Sequence, residues 1–323
     1  MRAVVLNRAG TPLEPSIVTD PIAGPGETLV EVLACGVCHS DLHAAAGDYQ
    51  TKLPVILGHE VTAMHPRLGP VLVYACWGCR LPGCWACDSQ QEMICPNATE
   101  AGLFRDGGYA EQMLVPDESY LIPIGDLDPA RTAPLACGGL TAYRAVDHTL
   151  ADLRSARHPR ALVVGAGGLG QFGLQFLKIR SDAEVVVVDA SAEKRELALR
   201  LGADLAVAPR EVEGTFTAIV DFVGAAATLQ TARDHVARQG IAVVVGLYGG
   251  SIPFGFGLVP HEARFMSSIW GTRDQLADLV SLATANDLHS EIEILPLESA
   301  QLAHDRLQKG EVAGRFVLVP NLA

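Results

Sequence analysis

The sequence predicts an α/β protein of two domains, a β-rich first domain and a second built on a six-stranded, doubly wound parallel sheet. Three observations predict it. The chain has 323 residues, enough for two separate cores. Residues 1–124 read as short strands broken by turn residues. From residue 160 onward, apolar runs alternate with helical patterns.

In the first domain, 1–6 and 28–34 are strand-like, with AGPGE (23–27) as a turn and 109–124 continuing in the same style. In the second, 161–165, 184–189, 205–208, 218–224, 241–247 and 265–270 are apolar runs suited to strands buried on both faces. Helical patterns over 169–180, 192–202 and 227–240 separate most of them. Only 209–217 joins the third and fourth strands. A parallel crossover usually takes a dozen residues or more, so a turn or a short 3₁₀ piece is expected there. The tail reads as helix 274–286, strand 291–297, helix 299–310 and strand 314–320. Its mixed pattern implies a return to the first domain, giving 1–137 with 275–323 as one domain and 138–274 as the other.

Composition narrows the function. The formal net charge is −13, which argues against a nucleic-acid or anionic-membrane surface, since phosphates demand Lys and Arg. The start, MRAVVLNRAG, lacks the apolar core and cleavage site of a secretion signal. No uncharged apolar run approaches the roughly 20 residues of a membrane helix. Five of the eight cysteines fall within residues 76–95, a metal-like spacing that suits a reducing compartment. A cytoplasmic protein is expected.

GAGGLG (165–170) follows an apolar strand and opens a helix, the context a dinucleotide fingerprint needs. Gly165 permits the tight turn, Gly167 lets backbone approach a pyrophosphate, and Gly170 allows close helix–sheet packing. Gly168 and Leu169 open the helix whose free N–H groups face the phosphates. Asp189 ends the next strand, about 20 residues on, where an acid binds the adenosine ribose hydroxyls. The same carboxylate repels a 2′-phosphate, so NAD is expected over NADP.

CGVCHSD (35–41) packs two cysteines, a histidine, a serine and an aspartate beside an apolar strand, a costly density unless the side chains bind or react with something. Downstream stand GHE (58–60) and an isolated Cys137 in APLACGGLT (133–141). A catalytic zinc takes three Cys or His ligands and keeps one open position; Cys38, His59 and Cys137 supply such a set. With ACGVCHSDLH, LGHE, GGYAEQMLVP, APLACGGLT, GAGGLG, DFVGA, WGTR and GRFVLVP, the chain resembles the zinc-dependent medium-chain alcohol dehydrogenases essentially end to end. The Cys₂His catalytic zinc of alcohol dehydrogenase is itself a standard example of such a site.

The resemblance implies a GroES-like catalytic domain, a Rossmann domain, zinc and NAD as cofactors, and a small alcohol or ketone as substrate, with secondary alcohols favoured. A homodimer or homotetramer is implied. Cys38, His59 and Cys137 match the catalytic zinc ligands, and Glu60 matches a carboxylate that approaches the metal. Asp41 matches the group that orients the histidine ligand. Ser40 stands where a hydroxyl takes the alcohol proton, and His43 where a histidine passes it on through the nicotinamide ribose. His39 and Arg315 match pyrophosphate contacts, and Lys194 matches an adenosine-ribose contact. Thr141, Val223, Val245, Gly246 and Leu247 match positions around the nicotinamide. Tyr49 and Trp270 are candidate pocket walls, and Cys35 is expected to pack.

Cys84, Cys87 and Cys95 have the C-x₂-C-x₇-C spacing of the family's structural zinc lobe (76–95). The family's first ligand falls where this chain has Leu81. Cys79 is the expected substitute, with Cys76 the alternative. Residues 61–74 are shorter than the family's stretch and lack its G-D-x-V segment; RLGP is expected to turn a compact hairpin there. Competing readings are a polyol- or aldehyde-specific relative and a catalytically weakened nucleotide-binding homologue. The zinc-free quinone reductases lack these ligands.

Overall fold

Residues 1–312 and 314–322 of a computed structural model are described; Ala323, the expected end of the return segment, lies outside them. The chain divides into two compact units, Met1–Leu140 with Gly271–Ala323, and Thr141–Trp270.

In the first unit a seven-stranded sheet runs in the order Leu121–Pro123, Gly69–Val73, Glu60–His65, Thr28–Gly36, Arg315–Val319, Ile292–Pro296, with Gln112–Val115 also paired to Thr28–Gly36. Thr28–Gly36 alternates buried and more exposed residues over Val30–Leu33 and is buried over its last three, Ala34–Gly36, where it carries the chain inward toward Cys38. The strand Arg315–Val319 lies between two strands from opposite ends of the sequence, antiparallel to Thr28–Gly36 and parallel to Ile292–Pro296.

The shortened segment is a tight hairpin. Glu60–His65 and Gly69–Val73 pair antiparallel, with His65 opposite Gly69. Buried His65 ties the turn through Nδ1, which accepts from the backbone N–H of Leu68 at 3.1 Å and of Arg67 at 3.4 Å. All but one residue of Glu60–His65 are buried, so the strand that leaves the GHE motif is fixed on both faces despite the missing segment.

The second unit holds six parallel strands in the order Leu205–Val207, Glu184–Val188, Arg160–Val164, Phe216–Asp221, Val236–Val244, Arg264–Ser267. This is the doubly wound order with its switch point at the first strand. Leu162, Val164, Val186, Val188, Phe216 and Ile219 form part of one core cluster, each side chain contributing ~1.5–3 kcal/mol on burial. A 3₁₀ turn, Pro209–Glu211, fills the short connection between the third and fourth strands.

One expectation fails. The helix predicted over 227–240 stops at His235, and Val236–Val244 is a strand. Val236 pairs with Phe216, a register shift follows, and Gln239 takes φ +62°. Gly240 comes so close to the neighbouring strand that a Cβ there would lie 3.0 Å from the Thr217 carbonyl oxygen. Sheet pairing overrides the helical preference of ARQ. Among the described residues, no helix is long and apolar enough to cross a membrane.

Candidate metal and dinucleotide sites

Cys38 caps the helix His39–Ala46 in extended geometry. Its backbone N–H donates to Asp41 Oδ2 at 2.9 Å, so the acid in the first turn fills a helix-end donor and meets the positive end of the dipole. The other oxygen of Asp41 lies 3.2 Å from His59 Nδ1. A carboxylate only accepts, so Nδ1 carries the proton and Nε2 is left as the ligand atom.

Cys38, His59, Glu60 and Cys137 are all buried, and one ligand atom from each lies within 4.8 Å of the others. Two sulfurs and an imidazole nitrogen are a donor set that fits zinc. The thiols are linked. The Cys38 sulfur is pulled well below the ordinary thiol range, first by its hydrogen bond with Cys137 and against the effect of burial. Cys137 is pushed well above it by the same bond and by burial. Burial alone would lower His59, but Asp41 and Cys38 raise it well above its usual value. Negative charge converges here, as a cation site requires.

Glu60 is held by Arg315, whose Nη1 lies 2.8 Å from Oε1. Both are buried, Glu60 at 0% and Arg315 at 4% exposure. The Gly138 N–H donates to the same oxygen at 3.3 Å. Burial pushes the Glu60 carboxyl up, and Arg315 opposes it. Arg315, matched to a pyrophosphate contact, also stands beside Glu60 in the metal cluster. A Cβ on Gly36 would sit 2.1 Å from Glu60 Oε2, and one on Gly138 2.2 Å from Arg315 Nη2; both glycines are the space through which the ion pair passes.

Ser40 is half-buried, with Oγ 3.7 Å from Cys38 Sγ. His43 Nδ1 lies 2.8 Å from Asp48 Oδ2, which leaves Nε2 as an acceptor. Asp48 reaches back because Gly47, at φ +90°, reverses the chain in a left-handed helix cap, and Asp48 N–H donates to the His43 carbonyl at 2.9 Å. No motif marks Asp48; an acid directly after a helix-ending glycine is its one signal in the sequence. His43 also contacts the half-buried ring of Tyr49, centroids 5.4 Å apart. His39 is exposed at the start of the helix, and Cys35 is fully buried.

In the lobe, Cys79, Cys84, Cys87 and Cys95 bring their sulfurs within 4.8 Å of one another. The wider spacing from Cys79 to Cys84 is taken up by a turn in which Arg80 and Gly83 adopt φ +53° and +80°. Cys76 lies outside this cluster, in the strand pair with Glu100. None of the eight cysteines is in a disulfide. Substituting Cys79 by Ser is expected to reduce the zinc content by one ion per chain and to lower the inactivation temperature, whereas Cys76→Ser leaves the metal count unchanged. Elemental analysis of the two variants checks this.

The second unit carries the glycine turn. Gly165 sits at φ +88°, and a Cβ on Gly170 would meet the Gly165 carbonyl oxygen at 1.8 Å. Gly167 caps the helix Gly168–Arg180, and a Cβ there would have no atom within 4 Å. The room beside Gly167 at this helix start suits the close approach of a pyrophosphate. Half-buried Asp189 accepts from the Ala166 N–H at 2.8 Å through one oxygen and from the Ser191 N–H at 2.8 Å through the other. This fixes the acid beside the turn. Lys194 is half-buried in the first turn of Ala192–Arg200, and its neighbour Arg195 donates to the carbonyls of Asp189 and Ala190.

Buried Asp221 organises the far strand ends. Its carboxylate accepts from the N–H groups of Val223 and Gly224 and from the Thr228 hydroxyl, while its carbonyl accepts from the N–H groups of Val245 and Gly246. The two segments matched to the nicotinamide are therefore pinned to one residue that the motifs did not single out as functional. A Cβ on Gly246 would lie 1.9 Å from the Val223 carbonyl carbon. Leu247 is exposed, and Thr141 and Trp270 are buried.

The chain is similar to known proteins in sequence and in fold. A family model described as zinc-binding dehydrogenase matches residues 168–285, and one described as alcohol dehydrogenase GroES-like domain matches residues 24–126. An alcohol dehydrogenase of Geobacillus stearothermophilus is 36% identical, over 98% of this chain and 99% of its own. An NAD-dependent alcohol dehydrogenase of Sulfolobus acidocaldarius is 34% identical over 98% and 99%. The solved alcohol dehydrogenase of Aeropyrum pernix superposes with a TM-score of 0.89 at 33% identity, covering 99% of this chain and 100% of that one.

Proposed function

The chain belongs to the zinc-dependent medium-chain alcohol dehydrogenase family, and from that premise we propose how its residues carry out the reaction. The protein is an NAD-dependent oxidoreductase that interconverts alcohols with ketones or aldehydes. Zinc, when bound, supplies a Lewis acid for charge developing on the alcohol oxygen, and NAD supplies the hydride acceptor.

Cys38, His59 and Cys137 are the residues that hold the catalytic ion. The single observation that carries this reading is the convergence of their ligand atoms with Glu60 inside 4.8 Å. Asp41 keeps the proton of His59 on Nδ1 and so presents Nε2. Ser40 Oγ takes the alcohol proton. His43, held by Asp48 with Nε2 free to accept, passes it to solvent. Asp48→Asn is expected to lower kcat about tenfold, within the range for loss of a group that orients a catalytic partner, without shifting the melting temperature; steady-state kinetics beside calorimetry checks it.

Gly165, Gly167, Gly168, Leu169 and Gly170 cradle the pyrophosphate. Asp189 binds the adenosine ribose, with Lys194 beside it. Removing that charge takes away a repulsion of ~1–4 kcal/mol at close range, so Asp189→Ser should raise kcat/KM with NADP at least about tenfold, as competing-cofactor kinetics will show. Thr141, Val223, Val245, Gly246 and Leu247 line the nicotinamide.

Secondary alcohols are the proposed preferred class, supported by the likeness of the whole motif pattern to bacterial enzymes of that type. A cytoplasmic homo-oligomer with no nucleic-acid partner agrees with the acidic charge and the disulfide-free cysteines. Zinc analysis together with NAD⁺ reduction over primary, secondary and polyol substrates tests the reading; polyol turnover far above that of simple alcohols would replace it.

A further inference from the structure

The hydrogen-bond chain behind the metal ligand does not stop at Asp41. Asp41 is 2% exposed and takes three donors: the Cys38 N–H at 2.9 Å, His59 Nδ1 at 3.2 Å and the Tyr109 hydroxyl at 3.0 Å. A buried carboxylate needs its lone pairs filled by donors, and Tyr109 is the donor that no metal-ligand motif contains. Because Tyr109 donates to Asp41, its oxygen is left to accept. The group facing it is His304 Nε2, at 3.2 Å. Burial holds His304 below its usual pKa, so the ring is neutral and its one N–H sits on Nε2. The rings meet edge to face, centroids 5.9 Å apart.

Tyr109 is itself rigidly placed. Its N–H donates to the Leu57 carbonyl at 2.9 Å, and its carbonyl accepts from the Val4 N–H at 2.8 Å. Its ring covers Gly58, where a Cβ would come within 2.5 Å of it. Tyr109 thus grips the GHE motif from two sides, by ring contact ahead of His59 and by hydroxyl through Asp41.

We propose that Tyr109 and His304 are positioning residues for the catalytic metal, forming with Asp41 a buried chain that fixes the orientation of His59. The proposal rests on the metal reading above. Groups that orient a metal-bound histidine typically contribute about 10–100-fold in metal affinity or activity, and the hydroxyl of Tyr109 is expected to sit at the lower end because it acts through Asp41.

The test uses the full-length zinc-loaded protein and three variants. Tyr109→Phe keeps the ring and deletes the hydroxyl, His304→Leu deletes the donor, and His304→Gln restores an N–H donor. Zinc release to a chelator is followed by elemental analysis, with Cys38→Ser identifying which ion is the catalytic one. The visible spectrum of the cobalt-substituted protein is recorded in parallel. Tyr109→Phe is expected to release the catalytic ion about tenfold faster and to shift the cobalt bands, with the lobe ion retained at the parental rate. His304→Leu should do the same more weakly, and His304→Gln should return toward the parent. Parental release and unchanged cobalt bands in Tyr109→Phe would overturn the proposal, as would equal behaviour of His304→Leu and His304→Gln. Should Tyr109→Phe not fold, the two His304 variants decide alone. A parent that holds no ion dependent on Cys38 would instead defeat the metal reading itself.

Discussion

Cys38→Ser is expected to hold one zinc per chain where the parent holds two, and to lose alcohol-dependent NAD⁺ reduction by about 10³-fold or more. A Lewis acid contributes several kcal/mol to stabilising developing charge, and each 1.36 kcal/mol is tenfold in rate. The exchange leaves the surroundings in place, because the link from residue 38 to Asp41 runs through the backbone N–H and the serine hydroxyl is smaller than the thiol. NAD affinity should therefore stay at the parental value, since the glycine turn lies in the other unit. Metal analysis, cofactor titration and steady-state kinetics on one preparation give all three readings. Full activity with two ions would remove Cys38 from the site.

Arg315→Leu should be the most destabilising of the single substitutions considered, at about 3–5 kcal/mol, the range for stripping one partner from a buried ion pair. Glu60 would keep the Gly138 N–H but lose its cation in a setting with no solvent access. Arg315→Lys should cost less, because charge is kept while the fork geometry is lost. The double substitution Glu60→Gln with Arg315→Met should recover much of the loss, since an apolar replacement of a whole buried pair is often neutral. Denaturant unfolding of the zinc-loaded proteins checks the order. Equal stability of Arg315→Leu and parent would mean that Glu60 is not held by this pair.

What the sequence made legible was local. A dense polar motif beside an apolar strand singled out Cys38; GHE and an isolated cysteine completed the set with His59 and Cys137. The 165–170 turn announced itself because strand, glycines and helix lie in one stretch. The Glu60–Arg315 pair was not legible, because it exists only once Arg315–Val319 inserts beside Thr28–Gly36. No pattern within either segment encodes that neighbour. Asp48 was hidden for a smaller reason, since its return to His43 depends on the reversed backbone at Gly47. Residues 236–240 misled because pairing with Phe216–Asp221 outweighs a helical preference that is weak over five residues. The compact hairpin after GHE was expected from RLGP, but the buried histidine that ties its turn was not.

The seat of Arg315–Val319 between two older strands also sets a timetable. During synthesis every sulfur, imidazole and carboxylate of the catalytic cluster leaves the ribosome well before Arg315. Until that strand arrives, the backbone of residues 35–36 presents an open edge and Glu60 has no countercharge. A nascent chain stalled before residue 315 should consequently be a client for chaperones and hold zinc at the lobe alone, with loading of the catalytic ion postponed to the close of translation.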